Sequence, residues 1–489
     1  MIHRKFLSRA VPLAVVLLAG ACAPVPHLSP APQPIAPGAI AAAQSLPGRP
    51  DGAWPGDGWW TGYGDPQLTQ LIQEGLAHSP DVAIAKARLD RANAMAESAR
   101  GATLPRVDAQ GSAELEKQSY NMGYPKAFVP QGFNDYGQLA VSGSFDLDLW
   151  GKNKAALAAA RGDARAAAVD AAQARLMLAT AIANAYFDLG GLAANRDLDA
   201  AIVKERTDSA GLVAKRVGQG LDNQGSQHQA DAVRDAARVD LAAVSAQVMV
   251  RRHQLAALVG AGPDRGLAIV PPGAIDLPPR PLPADVTTDL VGRRPDVVAA
   301  RERVESAASR IKVARAAFYP AIRLDALVGL QALGLKNLFS ADSVYSNVGP
   351  SFSLPIFHGG ELQGNYRGAR ATYDEAVATY DKTVLAAYQD ATDAVSGRAA
   401  VLARLAIARQ AVTESEGALA VAQARYKAGL STYIDVLAVE ERTIQARLSV
   451  AALEASARRA DVGLVQALGG GFAAPTPYPT TTSTLGQPK

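Results

Sequence analysis

Apolar and polar residues follow two different periods along this chain. Most of it carries small apolar residues, chiefly alanine, at helical spacing. The predicted helices cover residues 80–103, 152–219 and 226–259, and again 295–318, 361–427 and 433–468. At 1.5 Å per residue, each of the two longest would reach roughly 100 Å if unbroken, which is more than a globular core requires. Gly190, Gly191 and Gly397 lie near their middles and predict a break into an upper and a lower helix.

Four shorter segments alternate between apolar and polar residues, at about 106–115, 138–149, 322–330 and 347–356. About ten alternating residues make a transmembrane β-strand, although a soluble hairpin alternates in the same way. Trp150 and Phe357 stand at matching strand ends, as in the aromatic girdle of a membrane barrel. Residues 116–133 and 331–346 are predicted to be the loops at the far end.

The two halves of the chain are related by duplication. Sliding the sequence by 215 positions superposes ten identical residues between 80–105 and 295–320, and further along the offset becomes 209. The predicted domains are a first repeat at 59–262 with strands at about 105–149, a proline-rich linker at 263–284, and a second repeat at 285–471 with strands at about 320–357.

Each repeat contains a helical hairpin whose tip carries the pattern Arg-x-x-x-Gly-Leu. The first tip includes Gly220 and Leu221, and the second includes Gly429 and Leu430. Glycine suits this place because a helix C-terminus often needs a residue with positive φ. The sequence therefore predicts two matching hairpins.

Residues 1–21 resemble an export signal, with Arg4, Lys5 and Arg9 before a short apolar stretch. The sole cysteine, Cys22, follows Leu-Ala-Gly-Ala as in a bacterial lipoprotein cleavage box, although leucine stands one place early. A core thiol, or cleavage by the ordinary signal peptidase, is the alternative. Ala23 after the cysteine favours the outer membrane over the inner one. We expect residues 22–58 to form a lipidated, proline-rich tether and residues 472–489 to be disordered.

We predict that Cys22 is the mature N-terminus and carries lipid. Mass spectrometry of the purified protein checks this, and an unmodified N-terminus at any other residue would contradict it. Cys22→Ser is expected to weaken membrane attachment only modestly, because the barrel itself holds the protein in the membrane.

Charge and composition exclude several functions. Residues 1–21 contain three basic and no acidic residues, so the net charge of +3 falls to zero when they are removed. A neutral chain gives no support for nucleic-acid binding. One cysteine allows no disulfide framework, and the six scattered histidines and the absence of a phosphate-binding glycine loop argue against an enzyme with a metal or nucleotide cofactor.

The chain resembles the TolC-like outer-membrane efflux channels, and within them the lipoprotein subgroup that serves resistance-nodulation-division pumps. The motifs that carry the resemblance span nearly the whole mature chain: Trp59-Trp60-x-x-Tyr63-Gly64-Asp65-Pro66, Phe145-Asp-Leu-Asp-Leu-Trp150-Gly151-Lys152, Arg293-Arg294-Pro295-Asp296-Val297, Leu354-Pro355-Ile356-Phe357-x-Gly359-Gly360 and Tyr426-x-x-Gly429-x-x-x-x-x-Asp435-Val436-Leu437.

The resemblance implies an α+β membrane protein. In this family a homotrimer closes a 12-stranded transmembrane β-barrel, with four strands per protomer, continuous with a long periplasmic α-helical barrel. It would be the exit duct of a tripartite efflux pump in the outer-membrane lipid, working with a periplasmic adaptor and an inner-membrane pump. Four strands alone leave open edges that are costly in lipid, which independently requires oligomerisation. The number three comes from the resemblance.

The resemblance also implies roles for particular residues. The tips, namely Gly220, Leu221, Gly429, Leu430 and Ser431, would dock the adaptor, unless glycine and leucine merely close the turns. Tyr426 and Asp435 would narrow the periplasmic end of the channel, with three copies of Asp435 forming an acidic ring. The alternative for Asp435 is a helix N-cap. Ser431, Ala438 and Ser226 replace charged residues of some family members, so the latch is expected to be weaker here.

Two other functions fit parts of the pattern. A channel for type I protein secretion would share the fold, and the lipoprotein box with Leu-Pro-Ile-Phe-His-Gly-Gly favours drug efflux over it. A non-porous periplasmic coiled-coil scaffold would explain the helices but has no use for alternating strands.

Overall fold

The computed structural model describes residues 25–121, 123–273 and 277–473. The predicted signal, Cys22 and nearly all of the predicted disordered tail lie outside these ranges. The described chain divides into two compact units. One consists of residues 25–34, 89–166 and 301–379, and the other of residues 35–88, 167–300 and 380–473.

The first unit contains a four-stranded antiparallel sheet in sequence order. Its strands are β1 (Arg106–Glu116), β2 (Asn134–Asp146), β3 (Ala321–Leu333) and β4 (Val344–Ser353). The helices before and after the sheet all join it at one end, and the loops 117–133 and 334–343 lie at the opposite end. The prediction of four strands per protomer is confirmed among the described residues.

The register gives the sheet one apolar and one polar face. Val141 of β2 lies opposite Ala109 and Val328, whereas Ser144 lies opposite Arg106 and Asp325. Apolar residues of the first face are strongly exposed in the single chain, among them Val107, Leu115, Val348 and Phe352. An exposed apolar face backed by a polar one is the arrangement of a barrel wall, with lipid outside and water inside.

Strands β2 and β4 end earlier than the alternation predicts. Beyond β2 the chain turns at Asp148, whose φ of 46° is left-handed. The Asp148 carboxylate accepts hydrogen bonds from the backbone N–H groups of Asn153 and Lys154, both at 2.9 Å, at the start of the next helix. Asp146 likewise accepts from the Asp148 N–H at 2.9 Å. These two carboxylates therefore shape a turn and the start of the next helix.

The described chain has nine α-helices, six of which form three repeat pairs of equal length. They are α1 (Pro66–His78), α2 (Pro80–Gly101), α3 (Lys152–Gly218), α4 (Gln224–Leu258), α5 (Pro263–Leu267), α6 (Val286–Arg293), α7 (Pro295–Ala316), α8 (Glu361–Lys427) and α9 (Tyr433–Ala467). Helices α2 and α7 have 22 residues each, α3 and α8 have 67, and α4 and α9 have 35. This equality confirms the internal duplication.

The predicted breaks in the two longest helices are wrong, because α3 and α8 are continuous. A Cβ at Gly190 would lie 2.7 Å from Cγ of Pro272, and one at Gly191 would lie 2.9 Å from Cβ of Ala455. In α3 the glycines therefore permit close approach of neighbouring segments, which offsets their cost of roughly 1 kcal/mol each in helix propensity. One 18-residue stretch of α3 is apolar enough to cross a membrane, but 72% of that stretch is buried inside the protein.

The core of the second unit is built around the Trp59–Tyr63 turn. Trp59, Trp60 and Tyr63 pack with α1 and α3 in the largest buried cluster. The fully buried Asp461 of α9 accepts hydrogen bonds from the Tyr63 hydroxyl at 2.6 Å and from Nε of Arg280 and Arg398, both at 2.8 Å. A carboxylate without these partners would be strongly destabilising at this depth. The network ties the linker to both repeats.

The N-terminal segment is held in place along α8 and is not a free tether. In the first unit, Arg370 donates to the backbone oxygens of Ser29 at 3.0 Å and Pro30 at 2.7 Å. Its Nε also lies 2.7 Å from the Asp374 carboxylate. In the second unit, the Ile35 N–H donates to Asp381 at 2.8 Å. Proline leaves few N–H donors, so the segment is bound mainly through its carbonyls.

Candidate functional site at the helical tips

Both hairpin tips end their long helix with the same backbone motif. After α3, the Gly220 N–H donates to Val217 O at 3.0 Å and the Leu221 N–H to Arg216 O at 2.8 Å. After α8, Gly429 and Leu430 donate to Tyr426 O and Arg425 O, both at 2.9 Å. Gly220 and Gly429 have φ of 71° and 75°, as this helix ending requires. Both tips are therefore turns closed by two backbone hydrogen bonds and a left-handed glycine.

The leucines at the tips face solvent. In this type of helix ending the residue after glycine often packs back on the last helical turn. Here Leu221 is 61% exposed and Leu430 is 71% exposed, and Ile434 on the returning helix is 68% exposed. Closing the turn does not account for large apolar side chains held in water. The tips present apolar surface to something outside the protomer.

A polar latch joins the two tips within one protomer. The hydroxyl of Tyr426, which is buried, donates to the Asp222 carboxylate at 3.2 Å. The Arg216 guanidinium lies 4.7 Å from the Tyr426 ring centroid, and its Nε is 3.9 Å from Asp222. Burial raises the pKa of Tyr426, and the Asp222 charge raises it further, so the hydroxyl keeps its proton and donates.

Asp222 is held in its charged form. Burial alone would raise its pKa, but hydrogen bonds from Ser226, the Asn223 backbone and Tyr426, together with the Arg216 charge, lower it overall. The latch is therefore a neutral tyrosine hydroxyl bonded to a carboxylate, which is a stronger contact than one between neutral groups.

A second polar group lies behind the latch on α9. Glu440 is buried, and its carboxylate is 3.5 Å from Nε of Arg206 on α3. Burial raises the pKa of Glu440, and Arg206 only partly opposes this. Tyr433 packs between, 5.8 Å from the Tyr426 ring, and burial raises its pKa to about 12. The Tyr433 hydroxyl has no hydrogen-bond partner in the described part of the chain.

Asp435 stands at the start of α9, exposed to solvent. Its carboxylate accepts hydrogen bonds from the Thr432 N–H at 2.8 Å and the Thr432 hydroxyl at 2.7 Å. The Thr432 side chain in turn accepts from the Asp435 N–H, and this bond with the one from the Thr432 N–H forms a capping box with Thr432 as the N-cap. The N-cap of α9 is therefore Thr432, and Asp435 lies three residues after it. The hydroxyl and backbone bonds of Thr432 lower the pKa of Asp435 and keep it charged.

Sequence reasoning missed Asp222 and Arg216 as latch residues. The repeat offset of 209 could have found them, because it pairs Arg216 with Arg425 and Asp222 with Ser431. The acid is thus present in one tip and absent from the other. The structure brings Tyr426 to Asp222, whereas Asp435 contacts neither of them in the hydrogen bonds of the described residues.

Comparison with known proteins decides the family. The model of the outer membrane efflux protein family matches residues 71–261 and 287–470, once for each repeat. The chain belongs to the outer membrane efflux protein family. These proteins are homotrimeric channels that span the outer membrane and extend into the periplasm, and they are not enzymes. This membership excludes the non-porous scaffold.

Relatives support the same conclusion along most of the chain. The fusaric acid resistance protein FusA of Burkholderia cepacia is 36% identical over 369 residues, which is 73% of this chain and 68% of FusA. The multidrug resistance outer membrane protein MdtP of Escherichia coli is 30% identical over 436 residues, covering 86% of this chain and 88% of MdtP.

Among solved structures, VceC of Vibrio cholerae shares the fold with a TM-score of 0.81 and 40% identity, over 86% of this chain and all of VceC. The Campylobacter jejuni channel CmeC has a TM-score of 0.82 at 21% identity, over 93% of this chain and 95% of CmeC, and shows the fold alone.

Proposed function

We propose that this efflux channel is the exit duct of a tripartite pump and discharges drugs or other small toxic molecules. A periplasmic adaptor would bind the hairpin tips, and an inner-membrane pump would supply the substrate. The observation that carries this proposal is the pair of exposed leucines, Leu221 and Leu430, on hydrogen-bonded turns. Exposed apolar side chains on hydrogen-bonded turns suit a helical partner that packs against the tips.

Small molecules are the better substrate class than secreted proteins. FusA and MdtP are named for resistance to fusaric acid and to multiple drugs. Restoring the gene to a strain that lacks its own outer-membrane efflux channels should raise the inhibitory concentrations of aromatic acids or antibiotics. Restored protein secretion with unchanged drug resistance would favour the type I channel instead.

We propose that the same tips also form the gate that closes the periplasmic end of the channel. Tyr426 would hold the closed state through Asp222, and three copies of Asp435 around one axis would attract cations. Ser431 follows Leu430 at the same tip, and we propose it as part of the adaptor contact. We further propose that Cys22 carries lipid and that Arg370 holds the segment that follows it.

Asp435 has two roles that substitution can separate. Asp435→Asn removes the charge but keeps an oxygen that accepts from Thr432, whereas Asp435→Ala removes both. In planar bilayers both variants are expected to lose cation selectivity and block by multivalent cations. Only Asp435→Ala is expected to lower the melting temperature. If Asp435→Asn keeps full selectivity, the carboxylate is a helix cap and the acidic ring lies elsewhere.

A further inference from the structure

The loop between β1 and β2 carries an unusual group of cationic and aromatic side chains. The ammonium of Lys117 lies 5.9 Å from the ring centroids of both Tyr120 and Phe133, and that of Lys126 lies 5.2 Å from the Tyr120 ring. We call these four residues the rim cluster. The Tyr120 hydroxyl accepts the Gly132 N–H at 2.9 Å, which fixes the central ring across the loop.

The rim cluster lies on the membrane side of the sheet. The last paired residues of the hairpin are Glu116 and Asn134, on the polar face. Because side chains alternate, Lys117 and Phe133, one residue further out, continue the apolar face. Leu115 precedes them on that face and is 73% exposed. The cluster is therefore continuous with the surface that contacts lipid.

The cluster also lies at the cell-surface end of the barrel. The four helices that flank the strands join the sheet at its opposite end, and the family extends its helices into the periplasm. The loop further exposes Tyr124 and Phe128, the latter by 82%, and the neighbouring β3–β4 loop exposes Phe339 by 79%. So much aromatic surface is unfavourable in water, but it is typical of the boundary between lipid and water.

The lysines give the loop itself a positive charge. Between residues 117 and 133 the only charged side chains are Lys117 and Lys126. Neither makes an ion pair within the described residues, and both ammonium groups rest on ring faces with the remaining N–H donors free. The outer leaflet of this membrane consists of lipopolysaccharide, whose phosphate groups lie at the level where the acyl chains end. Its phosphates carry the charge opposite to that of the lysines, and its acyl chains can pack against the aromatic rings.

We propose that the rim cluster binds the phosphate groups of lipopolysaccharide, with Lys117 and Lys126 as the donors and Phe133 packed against acyl chains. Each lysine forms charge-assisted hydrogen bonds to phosphate oxygens near a medium of low dielectric, where such bonds are strong. This contact anchors the outer end of each protomer in the leaflet, whichever substrate the channel transports.

The test uses the full-length trimer in lipid-free detergent. Binding of bisphosphorylated lipid A and of the same lipid after dephosphorylation is measured by native mass spectrometry. The wild type is expected to bind the phosphorylated form about tenfold more tightly. Lys117→Gln with Lys126→Gln should remove that preference. Lys152→Gln with Lys154→Gln, which removes two exposed lysines at the other end of the sheet, should leave it unchanged.

Four results would overturn the proposal. The first is equal affinity of the wild type for both lipids, and the second is an equal loss in the Lys152 and Lys154 control. The third is dissociation of the Lys117 and Lys126 variant into monomers without lipid, which would show a contact between copies of the chain. Millimolar inorganic phosphate should not displace the lipid, and if it does, the site binds free phosphate and not the membrane.

Discussion

Leu221→Glu combined with Leu430→Glu is expected to abolish efflux while leaving the trimer intact. The two leucines contribute exposed apolar surface at the tips and no core packing, so folding does not depend on them. Burying two new carboxylates in an adaptor contact would cost several kcal/mol unless the partner supplied cations. Drug resistance should fall to the level of a strain without the channel. The measurements are inhibitory concentrations and trimer migration on gels without heating.

A matched control separates docking from a general effect of added charge. Val270 is 64% exposed in the loop after α5, away from the tips in sequence, and Val270→Glu should leave resistance unchanged. Cross-linking of the tip variant to the adaptor should be lost, and that of the control should be retained. Normal drug resistance in the double leucine variant would contradict the docking proposal. The two leucines would then only close the turns.

The larger features of the fold were predictable because they rest on strong periodic signals. Alternation of apolar and polar residues over about ten positions is typical of a β-strand. Identical residues at a constant offset of 209 align α3 with α8 and α4 with α9. The tips followed from Gly220 and Gly429, since a positive φ after a helix strongly favours glycine. These are local properties that no distant contact has to supply.

The continuity of α3 at Gly190, the docking of the N-terminal segment and the role of Asp222 involve contacts from distant parts of the chain, which the sequence does not show. Glycine propensity predicted a break at Gly190, but α3 is continuous there and the glycine permits the close approach of Pro272. The tether was predicted from proline content alone, without the Arg370 side chain that binds its carbonyls. Asp222 was missed because its tyrosine partner lies 204 residues away in the other repeat.

The largest expected change in channel behaviour comes from opening the latch. Tyr426→Phe removes the hydroxyl that bonds to Asp222, and Asp222→Asn removes the charge that Arg216 faces. A hydrogen bond to a charged group contributes about 1.5–3 kcal/mol. Because the bond between Tyr426 and Asp222 is only partly buried, we expect the lower limit. Its loss should shift the equilibrium between closed and open states about tenfold toward the open state in each protomer. Single-channel conductance and antibiotic leakage into cells should both rise. Tyr433→Phe should change neither, because its hydroxyl has no partner among the described residues.

The latch also has a defined pH dependence. The folded pKa of Asp222 is lowered, so its stabilising effect is present above the unfolded pKa of about 3.9 and is lost as pH falls through the folded value. The difference in conductance between the wild type and Asp222→Asn should therefore persist from pH 7.5 to pH 5 and disappear only in stronger acid. Because both residues form one contact, the double variant should open no further than either single variant. Additive opening, or a difference that vanishes near pH 6, would place the gate at another contact.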